Sequence, residues 1–321
     1  MIKINAYAES SGAAWLFDDL KRHFENIRKE NVEVISSNFP IENADAYIAI
    51  RTREISRSPI PAKTVVCVHD LYDEKGIYNI GGERYGVNEA GAITFCHPKQ
   101  KTILKNAQID LSDFSILERP LGALSIFSPA EAKPPKFTIA WVGRNYWRKR
   151  IDWFVEAVEK LELNKSDFRV ILLGMDIAEP TMMLAQKGIE CLAFQRKNFP
   201  ISEYPEIYRQ MSCLVITGIS EAGPLTLFEA LSTGIPVVST KVGWAAFFAK
   251  QSPEIVRLVD RPEDIAKELQ NIYAQKDQLF EQRITISKLV KHWTLDSWVN
   301  EVVELARALV SPGIFKLDKT R

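Results

Sequence analysis

Two glutamates and a nearby Gly-Pro turn are the residues of this chain whose types and spacing best suit chemistry. Glu221 and Glu229 bracket the run Glu221-Ala-Gly-Pro-Leu-Thr-Leu-Phe-Glu229, which passes from a strand end through a turn into a helical pattern. Gly223 lets backbone come close to a ligand, and Pro224 suits the first helical turn. The N–H groups after Pro224, beginning with Leu225 and Thr226, then form an end that binds anions and hydroxyls. Glu221, ahead of the turn, can accept hydrogen bonds from sugar hydroxyls. Glu229, two helical turns on, could take a vicinal diol such as that of ribose. The plainer alternative makes Glu221 a carboxylate favoured by the helix dipole and Glu229 an exposed helical residue.

Upstream, Trp141-Val-Gly-Arg-Asn-Tyr-Trp-Arg-Lys-Arg-Ile-Asp152 is a strand, a glycine turn and four basic residues before a helix. Two linked phosphates need hydrogen-bond donors and positive charge. Arginine offers a rigid fork and lysine a point charge. A solvated basic turn is the competing reading.

The elements that must position these groups alternate between strands and helices, which implies parallel sheets covered on both faces. Strands are expected at Ile2–Ala6, Val32–Ser36, Ala46–Ile50 and Thr64–Val68, with a helix after Ser10 or Ser11 carrying Leu16, Leu20, Phe24 and Ile27. Residues 94–121 carry no readable period. Ser128-Pro-Ala-Glu-Ala-Lys-Pro-Pro-Lys136 holds three prolines in nine residues and reads as a linker. The alternation then restarts with Phe137–Val142, a helix with Ile151, Phe154, Val155, Val158 and Leu161 on one face, and strands at Arg169–Leu173, Cys213–Thr217 and Val237–Ser239. A helix over Leu225–Thr233 is closed by Gly234, and residues 262–310 are largely helical.

These patterns predict an α/β chain of two Rossmann-like, doubly wound domains facing a cleft. Its expected parts are a short first domain over 1–127, a linker over 128–136, a second Rossmann-like domain over 137–300, and a C-terminal helix or tail over 301–321. The 321 residues suffice for two cores. Apolar residues are 46% and charged residues 26%, an ordinary globular composition, and Lys plus Arg equals Asp plus Glu at 41 each. Net charge therefore gives no reason to expect nucleic acid. The start has no signal-peptide pattern, no apolar run spans a bilayer, and Cys67, Cys96, Cys191 and Cys213 have no metal-ligand spacing. His23, His97 and His292 form no metal pattern either. The expectation is a cytoplasmic, reduced protein without a metal or other cofactor.

The Glu221–Glu229 run, with its Gly-Ile-Pro-Val-Val238 continuation, closely resembles the carboxylate motif of the family-four retaining glycosyltransferases (glycosyl transferases group 1), which have the GT-B fold. The resemblance implies that Glu221 contacts the donor sugar and Glu229 the ribose, with backbone from Gly223, Pro224, Leu225 and Thr226 lining the sugar and diphosphate. The family pattern Gly-Arg followed by Lys places Arg144 and Lys149 on the diphosphate. The family usually has Gly after that lysine, where Arg150 stands, and Arg148 could substitute for Lys149. Tyr204–Thr217 resembles the helix and strand leading to the glutamate loop. Arg119–Pro129 resembles the interdomain segment with Leu121 in place of an Asn, and His292–Trp298 the segment that crosses back to the first domain.

In the first domain, His69-Asp70 ends a strand where the family often has the same pair. His69 could hydrogen-bond the donor sugar or the attacking hydroxyl, or be a structural histidine held by a carboxylate. Ser11-Gly12-Ala13 stands where the family places a glycine-rich loop over the donor phosphates, which assigns Gly12 there. Tyr78–Glu83 reads as a surface turn or an acceptor loop. Lys21, Arg22, Arg28 and Lys29 flank an amphipathic helix that could touch an anionic membrane or simply be solvated.

The expected function is transfer of a sugar from a nucleoside diphosphate sugar to a hydroxyl acceptor (a glycan, a lipid-linked saccharide or a small molecule). The resemblance implies retention of configuration, without a metal. The alternatives are a catalytically silent, sugar-nucleotide-binding partner subunit of a glycosylation complex, and a UDP-sugar epimerase of the same fold.

Overall fold

A computed structural model of the chain describes residues 1–10, 15–69, 87–196 and 200–311. The chain divides into two compact units: Met1–Leu121 with the segment from Leu295 on, and Gly122–Thr294.

The first unit holds a six-stranded, all-parallel sheet in the order β2-β1-β3-β4-β5-β6. Its strands are β1 (Ile2–Tyr7), β2 (Val32–Ser37), β3 (Ala46–Ala49), β4 (Thr64–Val68), β5 (Ala92–Phe95) and β6 (Ser115–Glu118). The central strands β3, β4 and β5 are buried at every residue, because a parallel sheet is covered on both faces and its strands lose the polar alternation. One cover is the helix Trp15–Glu25. Another is the helix Leu295–Ala308, whose buried Leu295, Trp298, Val299, Val302, Val303 and Ala306 follow the helical spacing of one apolar face. That helix lies against β1, β3, β4, β5 and β6.

Residues 94–121, unreadable in sequence, contain the end of β5, the helix Pro98–Asn106 and β6. The helix starts on a reciprocal cap. His97 Nδ1 accepts from the Lys99 N–H, and the buried Gln100 Oε1 accepts from the N–H groups of His97 and Cys96. A histidine in place of the usual Ser or Asp hides this start from the sequence.

The second unit holds another six-stranded parallel sheet, ordered β12-β11-β10-β7-β8-β9. Its strands are β7 (Phe137–Arg144), β8 (Phe168–Met175), β9 (Cys191–Gln195), β10 (Cys213–Ile216), β11 (Val237–Ser239) and β12 (Val256–Leu258). Numbered within the unit this is the 3-2-1-4-5-6 order of dinucleotide-binding folds. β9 and β12, short edge strands, carry too weak a pattern to be read in sequence.

The division falls at Leu121/Gly122, ahead of the expected 127, and at Thr294/Leu295 rather than after 300. The reason is a clamp between the two crossing segments. The Ala123 N–H donates to the Trp293 carbonyl at 3.3 Å, and Ala123 pairs with Thr294 as an isolated bridge. Gly122 adopts φ +77°, and a Cβ there would stand 2.0 Å from the Trp293 carbonyl oxygen. The Pro-rich stretch 128–136 forms no helix or strand and lies on the second unit, where Arg283 donates to the Ala130 carbonyl at 2.7 Å.

Candidate functional site

In an open α/β sheet, ligands bind beyond the carboxyl ends of the strands where the strand order reverses. In the second unit that point lies between β7 and β10, which are direct neighbours. β7 ends at Arg144 and leads into the basic loop; β10 ends at Ile216 and leads into the glutamate turn. The two sequence motifs therefore meet for a topological reason.

They are stitched together through the backbone. The Ile219 N–H donates to the Arg148 carbonyl at 2.8 Å, and Thr217 Oγ1 donates to the Lys149 carbonyl at 2.5 Å. Thr217 in turn accepts from Trp141 Nε1 at 3.1 Å, which ties the loop to the core. On this frame Lys149 Nζ reaches Glu221 Oε1 at 2.5 Å, with the lysine side chain one-third exposed. This mostly covered pair holds a cation and an acceptor side by side, an arrangement that suits a ligand carrying both anionic and hydroxyl groups.

Arg150 sits at φ +45°, in the left-handed region, and caps the helix Ile151–Glu159 with its guanidinium 4.1 Å over Trp153. The turn demands the conformation glycine adopts freely, and Arg150 takes it at a cost of roughly 1 kcal/mol. Arg150 thus adopts a backbone shape in which glycine is the relaxed residue.

Arg144 is placed differently from Lys149. Its side chain is largely exposed and its Nε is 3.1 Å from Asp176 Oδ2, across the ends of β7 and β8. Those two ends approach closely because Gly143 faces Gly174; a Cβ on Gly174 would lie 1.6 Å from the Gly143 carbonyl oxygen.

The helix of the glutamate turn runs Leu225–Ser232, with Pro224 as the residue before it rather than in its first turn. Gly223, Leu225 and Thr226 are partly exposed at its start, and Pro224 is buried. Gly243 packs under this turn, its Cβ position 2.5 Å from Pro224 Cδ, and so fixes the turn from below. Gly234, at φ +79°, ends the helix as expected.

Glu229 is not the exposed residue of the plain alternative. It is buried on the inner face of this helix, and Tyr208 donates to its Oε2 at 2.5 Å. Burial raises the carboxyl to about 7, with the Tyr208 bond and the Arg196 charge pulling the other way. Tyr208 is itself pushed well up by burial and by the Glu229 charge.

Among the sequence-predicted residues, Lys149 and Glu221 are brought into contact, Glu229 lies in the helix that follows the glutamate turn, and Arg144 stands at the same sheet edge on a different partner. His69 belongs to the first unit, directly after β4. Its Nδ1 lies 3.5 Å from Cys96 Sγ, its ring packs on Phe17 and Trp298, and burial lowers it to about 4, so the imidazole is neutral at neutral pH. Among the described residues its side-chain neighbour is a thiol, and the Ile50 backbone also acts on the ring. Gly12, Asp70 and the stretch Tyr78–Glu83 lie outside the described residues.

In and just after the first helix, Lys21 pairs with Asp18, the mostly exposed Arg22 with Asp19, and Lys29 with Glu304. Among the described residues no three His, Cys, Asp or Glu side chains group as metal ligands, and no helix is long and apolar enough to cross a membrane. Sequence reasoning missed Tyr208 and Asp176. Tyr208 lies four residues after Tyr204 on one helix, a repeat that signals a buried face with polar tips.

Residues 136–275 match the family model described as glycosyl transferases group 1. No curated protein sequence is similar enough to the chain to count as a match. Among solved structures, HepE of Anabaena in complex with UDP-glucose superposes with a TM-score of 0.72 at 13% identity, covering 96% of this chain and 100% of that one. Sucrose-phosphate synthase of Thermosynechococcus elongatus gives 0.72 at 14% identity over 96% and 99%. WaaG, a glycosyltransferase involved in lipopolysaccharide biosynthesis, gives 0.66 at 14% over 98% and 100%. At these identities the likeness is one of fold.

Proposed function

From a chain with the GT-B fold whose second unit carries the glycosyl transferases group 1 domain, we propose a glycosyltransferase that uses a nucleoside diphosphate sugar. The observation that carries this is the Lys149–Glu221 contact at the strand-order reversal of the second sheet. It joins the diphosphate candidate loop to the sugar candidate turn, beside the N-terminus of the helix Leu225–Ser232. HepE, of the same fold, was solved with UDP-glucose and with UDP and glucose, which supports a sugar nucleotide as the ligand class.

In this reading the diphosphate lies over the helix start and draws Lys149 away from Glu221, leaving the carboxylate to accept from the sugar hydroxyls. As the bond from the anomeric carbon to the diphosphate oxygen breaks, negative charge grows on the leaving group. Lys149, Arg144 and the N–H groups of Leu225 and Thr226 are the preorganised donors for that charge. The acceptor hydroxyl attacks from the face the diphosphate leaves, its proton passes to the leaving phosphate oxygen, and configuration is retained. Neither a metal nor another cofactor is required, because cationic side chains and the helix N-terminus supply the charge.

The acceptor is a hydroxyl on a glycan, a lipid-linked saccharide or a small molecule. The four free thiols suit a cytoplasmic setting.

A panel of UDP, GDP, TDP and ADP sugars in a thermal-shift assay, followed by NMR of the anomeric product from the stabilising donor, tests the reading. One donor is expected to raise the melting temperature by mass action and to give a product of unchanged anomeric configuration, with EDTA present. Binding without turnover on any acceptor hydroxyl, or hydrolysis included, would instead identify the silent partner subunit.

A further inference from the structure

The buried carboxylate of Glu229 has a structural partner that the sequence motif does not include. Tyr208 is completely buried, its ring meets Phe127 edge-on at 5.1 Å, and its hydroxyl donates to Glu229 Oε2 at 2.5 Å. The two side chains come from different elements, the helix Tyr204–Tyr208 and the helix Leu225–Ser232, so the bond also fixes the spacing of those helices. Among the described residues the hydrogen bond to this carboxylate is the one from Tyr208 to Oε2, with the Arg196 charge also acting on it. A carboxylate in this position is expensive unless something uses it. Leaving a buried acceptor half-satisfied costs stability that an alanine or leucine would not.

We propose that Tyr208 is the positioning residue for the nucleotide half of the donor: by occupying Oε2 it locks the Glu229 carboxylate and leaves Oε1 as the oxygen that takes the ribose diol. This rests on the reading of the second unit as a sugar-nucleotide site. It adds the residue that gives the site its preference for a ribonucleotide.

The charge state follows from the same packing. Tyr208 and Tyr204 from one helix and Arg196 beyond β9 are the titratable or charged groups acting with Glu229 among the described residues. Burial holds the carboxyl near 7, and the Tyr208 bond keeps it from rising further. Two donating hydroxyls need the ionised acceptor, so ribonucleotide affinity is lost as pH falls through about 7 and levels off above it.

The test is calorimetric titration of the full chain with UDP, GDP and ADP and their 2′-deoxy counterparts between pH 5.5 and 8.5, on the parent protein, Tyr208→Phe and Glu229→Gln. The parent is expected to bind its preferred ribonucleotide on the order of tenfold more tightly than the deoxy form at high pH, the worth of one good hydrogen bond to a charged group. Tyr208→Phe keeps the ring against Phe127 and is expected to bring ribonucleotide affinity down to about the deoxy level, leave the deoxy affinity nearly unchanged, and move the pH midpoint upward. A Tyr208→Phe protein that folds, yet keeps both the ribo-to-deoxy ratio and the midpoint, would overturn the positioning role. If that variant does not fold, the parent alone decides: a ribo-to-deoxy ratio that is flat across pH 7 overturns the proposal. Failure of the underlying reading has a separate signature, in which Glu229→Gln retains the full ratio or none of the three diphosphates binds the parent.

Discussion

The two sheets of this protein use similar topology for opposite ends. In the first unit the strand order reverses between β1 and β3, and the residues just beyond those strands are charged, as they are in the second. There, however, the charges satisfy one another. Glu54 is 1% exposed and meets Arg51 at 3.1 Å, Arg57 at 3.0 Å and Arg53 at 3.6 Å. Its backbone carbonyl accepts from the buried Tyr7 hydroxyl at 3.0 Å, and Arg57 continues to Glu9 at 3.1 Å. Arg51 also stacks on Phe17. At the corresponding place in the second unit, Lys149 and Glu221 form one partly exposed pair, and Arg144 and Asp176 another that is mostly exposed. A buried carboxylate shared by three cations, such as Glu54, holds a fold together; a single pair on a rigid frame can exchange partners with a ligand. The same residue types therefore meet as a many-partnered cluster in one unit and as separate pairs in the other.

The largest expected effect tests the second half of that contrast. Replacing Arg144 and Lys149 together by alanine is expected to lower kcat/KM with the preferred donor by about a thousandfold or more, the scale of losing transition-state donors. The exposed Arg144–Asp176 pair contributes at most about 1 kcal/mol, so any larger fall in melting temperature comes from the more covered Lys149–Glu221 pair. Near-parent turnover in the double variant would remove the site assignment.

The first half predicts the reverse pattern for Glu54. Glu54→Ala leaves three arginines around a vacated buried carboxylate and is expected to cost roughly 3–5 kcal/mol in denaturant unfolding. Donor affinity of the folded fraction should be unchanged, since Glu54 lies in the other unit. A mild stability effect would show that the network is no more structural than the open pairs.

Glu229 belongs to the second unit yet is buried like Glu54, and it sharpens the comparison. Its carboxyl is raised from 4.5 to about 7, so the unfolded chain releases its proton first as pH rises. Folding stability from this group is therefore fully present below 4.5, falls as pH rises through the interval, and has been lost above about 7. The loss is on the order of 3 kcal/mol. Glu229→Gln should gain stability relative to the parent between pH 5 and 8 by about that amount, read from paired urea titrations. A constant difference across that range would count against the buried ionisation.

The smallest effect concerns Arg150. At φ +45° a glycine is relaxed and an alanine is not. Arg150→Gly is expected to be more stable than Arg150→Ala by about 1 kcal/mol, both having lost the stacking on Trp153. Equal melting temperatures would mean that the left-handed turn is not held in solution.

Much of this was legible in the sequence because it is local. The apolar runs that become β1, β3, β4, β7, β10 and β11 are short and bounded by polar or glycine residues, and the helix Leu225–Ser232 announces both its ends through Pro224 and Gly234. The Glu221 to Glu229 run, Arg144 and Lys149 stood out through their resemblance to the family's motifs, and the fold brings Lys149 and Glu221 into contact. The unit boundaries were not, because they are set by the clamp of Gly122 and Ala123 on Trp293, residues far apart in the chain. The Pro-rich stretch looked like the division only because it lacks a period.

What the sequence by itself determined is the inventory: two parallel α/β halves, and a set of carboxylates, cations and a Gly-Pro turn of the right kinds. Tertiary structure alone decided their use. The 3-2-1-4-5-6 order brings the ends of β7 and β10 side by side, so that Lys149 reaches Glu221 across a separation no local rule spans. It also buried Glu229 against Tyr208 while leaving Arg144 in solvent. Burial and partner choice depend on which distant surfaces meet, and those depend on the sheet order rather than on any single stretch of chain.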